Sequence, residues 1–200
     1  ALLVVPTKAL AEQIRLEWDA QEGEIDPNVM PYTRGANAAI DKVRVQHAEV
    51  ADMLADYGDS DLVCYRATYP QELVAKQDEA WDPIIEWVHK TYGARLETRS
   101  GVMPVPQDQT ALDALRARVH ALDEFELSAF HDLVALSGSL ALGLAAVESL
   151  HTPEALWELS RIDEAFQIAQ WGEDDEATAV ADIKRKSFVH AYTFFHLTQK

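Results

Sequence analysis

The sequence has a single cysteine, Cys64, so no internal disulfide is available and a reducing compartment is expected. Bases are scarce: 17 Lys and Arg stand against 34 Asp and Glu, a formal net charge of −17. That balance argues against a nucleic-acid partner, whose phosphates would be repelled, and favours a basic partner surface or high solubility. The longest uncharged run, Leu133 to Val147, is shorter than the roughly 20 apolar residues a membrane span needs, and Asp132 and Glu148 flank it closely. A glycine-rich phosphate loop is also missing. Ser137-Gly138-Ser139 lies within an apolar run rather than between a strand and a helix.

The uncharged run is itself the main organising feature. Leu133, Val134, Leu136, Leu140, Leu142, Leu144 and Val147 point in every direction at 100° per residue. A helix apolar all round must be surrounded. Its small residues, Ser137 to Ser139, Ala141, Gly143 and Ala145, let neighbours approach closely. The segment reads as one central helix wrapped by others.

Around it, Leu2–Val5 reads as a strand, and Thr7 caps a helix carrying Leu10, Ile14 and Trp18 on one face. Asp26-Pro27 and Met30-Pro31 mark turns. From about Thr33 a stripe of Ala36, Ile40, Val43, His47, Val50, Leu54 and Tyr57 predicts a long helix with a C-cap at Gly58. Leu62–Ala67 and Ala94–Arg99 read as strands able to pair. Between them a helix from Tyr69-Pro70 to Gly93 is expected to break or kink at Asp82-Pro83. Gly101 to Gln107 reads as a loop. Leu112, Leu115, Val119 and Leu122 mark another helix, and Asp123 with Glu126 forms a capping box for the next. Thr152-Pro153 opens a helix with an inward stripe Leu156, Leu159, Ile162, Phe166 and Ala169, ended by Gly172. The last helix starts near Asp174 and buries Ala177, Ala181, Phe188, Tyr192 and Phe195. The fold class is therefore mainly α, a bundle-like domain around a buried central helix with a minor strand pair.

Candidate chemistry is thin. Glu86/His89 and Glu148/His151 are Glu-x-x-His pairs of the kind di-metal carboxylate bundles use, but both fall at helix ends, where the dipole favours histidine anyway. No metal or cofactor is expected from them. His131-Asp132 has no nucleophile at a known spacing, and Cys64 reads as a small core residue. The acidic block has more content. From Glu148 to Asp182 there are ten acids against one base, Arg161. Glu173-Asp174-Asp175-Glu176 suits a helix N-terminus electrostatically. Trp171 beside them supplies an aromatic anchor with a charged rim, the composition of a protein interface.

Several stretches together resemble a known family: Val5-Pro6-Thr7 with Trp18-Asp19, Glu24 to Pro27, Met30 to Arg34 and Ala36 to Asp41. Further along come Cys64 to Ala67, Trp81-Asp82-Pro83, Gly101 to Val105, His131 to Leu144 and Trp171 to Asp174. In this order they resemble the ATP12 family, assembly chaperones of the F-type ATP synthase in mitochondria and related bacteria. The resemblance implies a small β-rich domain, here mostly absent and represented by a remnant strand in residues 1–6, followed by a helical chaperone domain over 7–200. It also implies a non-enzymatic holdase that binds the unassembled alpha subunit of the catalytic head, prevents its aggregation, and leaves when the beta subunit arrives. The expected compartment is the bacterial cytoplasm, or the mitochondrial matrix if the source is eukaryotic. The expected client surface comprises Trp171, Glu173, Asp174 and Asp175, with Arg34 and Asn37 as a second candidate. A di-metal helical protein and a generic acidic interaction module are the rival readings.

Overall fold

A computed structural model describes residues 35–101 and 106–199. The expected N-terminal strand and first helix, the following turns, and Arg34 lie outside the described residues.

A helical turn at residues 35–38 runs into a π-helical turn, Ala39–Val43, and then α1, Arg44–Ala55. The π turn and a non-helical Gln46 (φ −118°, ψ 27°) shift the register within the expected long helix, so Ala39, Ala51 and Ala55 join Ala36, Val43 and Leu54 in the core. Gly58 is not a left-handed cap. It lies in a 3-10 turn, Asp56–Ser60, where an added Cβ would sit 3.2 Å from Leu140 Cδ2 and 3.3 Å from Leu112 Cδ2. Close approach is the reason for glycine there.

The strand pair is real but minimal. β1, Tyr65–Arg66, lies parallel to β2, Arg99–Ser100, with Tyr65 opposite Arg99. Leu62–Cys64, expected as strand, form a 3-10 turn capped by Asp61. Between the strands runs α2, Gln71–Tyr92, closed by Gly93 in the left-handed region (φ 69°). Contrary to expectation it is one helix across Pro83. Proline forfeits one amide bond there, while Trp81, Ile84 and Val88 stay buried on a single face.

α3, Gln109–His120, packs on α1. α4, Glu124–Ser137, begins at the expected capping box: Asp123 Oδ1 accepts from the Phe125 and Glu126 amides, and Glu126 Oε2 accepts from the Asp123 amide at 2.8 Å. The single central helix is corrected to two. α4 stops at Gly138 (φ 72°), and α5, Leu140–Val147, starts afresh with Ser139 as N-cap, its hydroxyl accepting from the Leu142 amide at 3.0 Å. Ser137-Gly138-Ser139 is thus a turn that folds one apolar run back on itself. Every residue from Leu140 to Val147 is buried. Gly143 allows the return: a Cβ there would lie 2.7 Å from Val134 Cγ2 and 3.1 Å from Phe130 Cε2, both on α4.

The remaining elements wrap this pair. The helix expected from Thr152 is also two, α6 (Pro153–Leu159) and α7 (Ile162–Trp171), parted at Ser160 and Arg161. α8, Asp175–Thr198, lies mainly along α4 and buries Phe188, Ala191, Phe194 and Phe195. Gly35 meets it closely, since a Cβ would fall 2.6 Å from the Phe194 ring. Among the described residues, no helix is long and apolar enough to cross a membrane.

Candidate functional site

α2 holds α7 in place. Gln77, almost fully buried, accepts from the Ala67 amide at 2.7 Å and donates through Nε2 to Asp163 Oδ1 at 2.6 Å. Trp81 Nε1 donates to the Leu159 carbonyl at 2.7 Å, fixing the α6–α7 corner. The Arg66 guanidinium stacks over Trp81 and is held by Asp78 and Asp82 at 3.1 and 2.7 Å. From this anchored base α7 leads outward to Trp171, and Gly172 (φ 89°, ψ 171°) turns the chain into α8.

At that junction the chain leaves the body. Residues from Gln167 to Val180 are exposed without a break. Trp171 is 80% exposed, with Ile168 at 41%, Val180 at 46% and Ile183 at 64%. Asp174 caps α8, its Oδ1 accepting from the Ala177 amide at 2.8 Å, while Glu173, Asp175 and Glu176 project into solvent. Two expectations are corrected here: Ala169 and Ala177, assigned to buried stripes, are exposed. Both helices keep their amphipathic spacing beyond the body that would cover it. The exposed apolar residues Ile168, Val180 and Ile183 were not singled out in the sequence, because on a helical stripe they look the same as core positions.

The sequence-based client residues therefore divide. Trp171, Glu173, Asp174 and Asp175 come together on one outward junction. Asn37 is distant in role: it sits in the turn before α1, half-buried, with a buried Oδ1 that finds no hydrogen bond among the described residues. Arg34 lies outside the described residues.

The two Glu-x-x-His pairs do not converge. Glu86 pairs with Lys90 at 3.0 Å, and that hydrogen bond holds its carboxyl below the usual range. Glu148 is shared by Arg118 at 3.1 Å and the Tyr92 hydroxyl at 3.3 Å. Among the described residues, no group of three or more metal-ligating side chains assembles. Cys64 is buried, as expected, and burial pushes its thiol far above its ordinary pKa. A further polar cluster joins Ser149 to Tyr192 at 3.1 Å and to His196 Nε2 at 3.3 Å. Ser149 has φ 54°, but it occupies the left-handed position after α5, with the Leu150 amide donating to the Ala145 carbonyl at 2.9 Å. His196 Nε2 also faces the Ala146 carbonyl at 3.1 Å, which favours a proton on that nitrogen. The cluster closes α5 onto α8, and a proton on Nε2 leaves no lone pair on the nitrogen that faces the hydroxyl.

Comparison with known proteins settles the family. A family model described as ATP12 chaperone protein matches residues 1–89. The crystal structure of Atp12 from Paracoccus denitrificans is 49% identical, with a TM-score of 0.87 over 97% of this chain and 83% of that one. The chain belongs to the ATP12 chaperone family. An aspartate-to-lysine variant of the Paracoccus protein matches equally, at 49% identity and TM-score 0.87 over 96% of this chain and 82% of that one. The Agrobacterium tumefaciens protein Atu1473 is 37% identical, with a TM-score of 0.80 over 94% and 72%. The mainly helical fold with its short strand pair is thus the ATP12 fold, and the family assignment makes the chain a chaperone of ATP synthase assembly. It implies a protein without an enzymatic role.

Proposed function

We propose that this ATP12-family chaperone binds the unassembled alpha subunit of the ATP synthase catalytic head and shields the surface a beta subunit later covers. The observation that carries the reading is the junction of α7 and α8, where Trp171 and the acids Glu173, Asp174 and Asp175 are exposed beyond a hydrogen-bonded base. An apolar centre of Trp171, with Ile168 beside it, would cover apolar client surface. Glu173, Asp174 and Asp175 would meet basic residues at its rim. Exposed apolar groups of this size on a protein with net charge −17 fit a transient contact that also keeps the client soluble. Asn37, together with Arg34, is a second candidate contact. The compartment that suits this role is the bacterial cytoplasm, or the mitochondrial matrix in a eukaryote.

The test is capture of purified alpha subunit, with beta subunit as control, at low and moderate salt. Selective capture of alpha that weakens as salt rises is expected, because rim charges are screened. Glu173→Lys should weaken capture about tenfold by reversing one rim contact, while changing stability by less than about 0.5 kcal/mol. Normal capture by that variant removes Glu173 from the surface, and indifference to alpha removes the client assignment.

A further inference from the structure

α8 outruns the body it packs on. Its buried stripe of Phe188, Ala191 and Phe195 continues towards the N-terminus at helical spacing through Lys184, Val180 and Ala177, and these three are exposed. On a wheel of 100° per residue, Glu176, Val180, Ile183, Lys184 and Ser187 share a sector of about 100°. The charges on this face are arranged symmetrically but with opposite sign about Val180. Glu176 stands one turn before it and Lys184 one turn after, each about 6 Å away along the axis. Among the described residues neither makes an ion pair, whereas the adjacent Arg185 and Lys186 are both held by Asp182, at 2.9 and 2.8 Å.

We propose that this face pairs with a second copy of the chain, the two α8 helices crossing antiparallel about a two-fold axis at Val180. In that register Val180 meets its equivalent and Ile183 covers the other copy's Ala177. Glu176 faces the other copy's Lys184, and symmetry makes that ion pair twice. Charge complementarity selects a second copy over an unrelated occupant. Copies of a chain with net charge −17 repel each other over most of their surface, so a contact between them must set bases against acids. This face does so with itself. A consequence rests on the client reading above: pairing would keep the apolar strip beside Trp171 out of water until a client displaces the second copy.

Sedimentation equilibrium of the full chain over a range of concentrations tests the pairing. The expected result is a mass rising from 22.3 kDa towards twice that value. Glu176→Lys and Lys184→Glu, each checked for unchanged helicity by circular dichroism, should each weaken self-association roughly tenfold or more, because like charges then face each other twice. An equimolar mixture of the two variants should associate again, since the reversed charges become complementary across the pair. A wild-type chain that stays at 22.3 kDa, single variants that associate like wild type, or a mixture that fails to recover would each overturn the proposal. A monomeric chain that captures alpha subunit overturns the pairing and leaves the client reading standing. A self-associating chain that ignores alpha subunit does the reverse.

Discussion

Asp61 shows how much one buried carboxylate can organise. It is wholly inaccessible, and its Oδ1 accepts from the Val63 amide at 3.1 Å while Oδ2 accepts from the Ala141 amide at 2.9 Å, 80 residues away. It therefore ties the turn before β1 to the start of α5. Burial pushes its pKa up to about 6, and the hydrogen bonds from Ser139, Ala141 and Val63 only partly oppose that. The folded state thus keeps a proton that the unfolded chain, near 3.8, has released. The stability this group contributes is complete below about pH 4 and is lost as pH rises through about 6. Denaturant unfolding of wild type and Asp61→Asn at pH 4.5 and 7.5 checks the sign: their stability difference should move in the variant's favour at the higher pH. Gly143 is the second residue on which the core depends. Gly143→Ala would force Val134 and Phe130 to shift, and a loss of about 1–3 kcal/mol is expected in the same assay. An alanine at 143 that unfolds like wild type would show that α4 and α5 have room to separate.

At the level of elements, the interruptions carry the architecture. The apolar run is one segment by composition, but Gly138 in the left-handed region and Ser139 as N-cap make it a hairpin of two helices. The capping box at Asp123 and the stops at Gly93 and Gly172 were legible, because capping is local chemistry. The two-residue strands were not sharply legible, since their pairing is decided by where α2 places the two loops. α8 makes the same point along its length. Phe188 is wholly buried against α4 and Trp157, with ring centroids 5.9 Å apart, whereas Val180 two turns earlier is 46% exposed. Phe188→Ala should cost about 3–5 kcal/mol in thermal or denaturant unfolding. Val180→Asp should stay within about 0.5 kcal/mol at concentrations where the chain is monomeric. Equal losses would mean that the first half of α8 packs as tightly as the second.

The described residues pack as one body from which the α7–α8 junction projects. α4 and α5 form its centre, α1 and α3 cover one side, and α2, α6 and α8 cover others. Native-state hydrogen exchange should find its slowest amides in α4 and α5, where opening requires global unfolding, and far faster exchange over residues 175–183 when the chain is dilute enough to be monomeric. Exchange over 175–183 should slow as concentration rises and the face is covered by the second copy. Chain composition, cap chemistry and helical spacing by themselves determined a mainly helical, acidic protein with an uncharged centre, and the order of its motifs pointed to its family. They also placed Trp171 and the acids beside it at a helix junction. Whether a stripe of apolar residues is core or surface was settled only in the tertiary structure. Helical spacing states which residues share a face, but burial depends on whether another element reaches that face. Ala177 and Phe188 share such a stripe, and only the extent of α4 and α6 beneath α8 leaves the first in water and the second in the core.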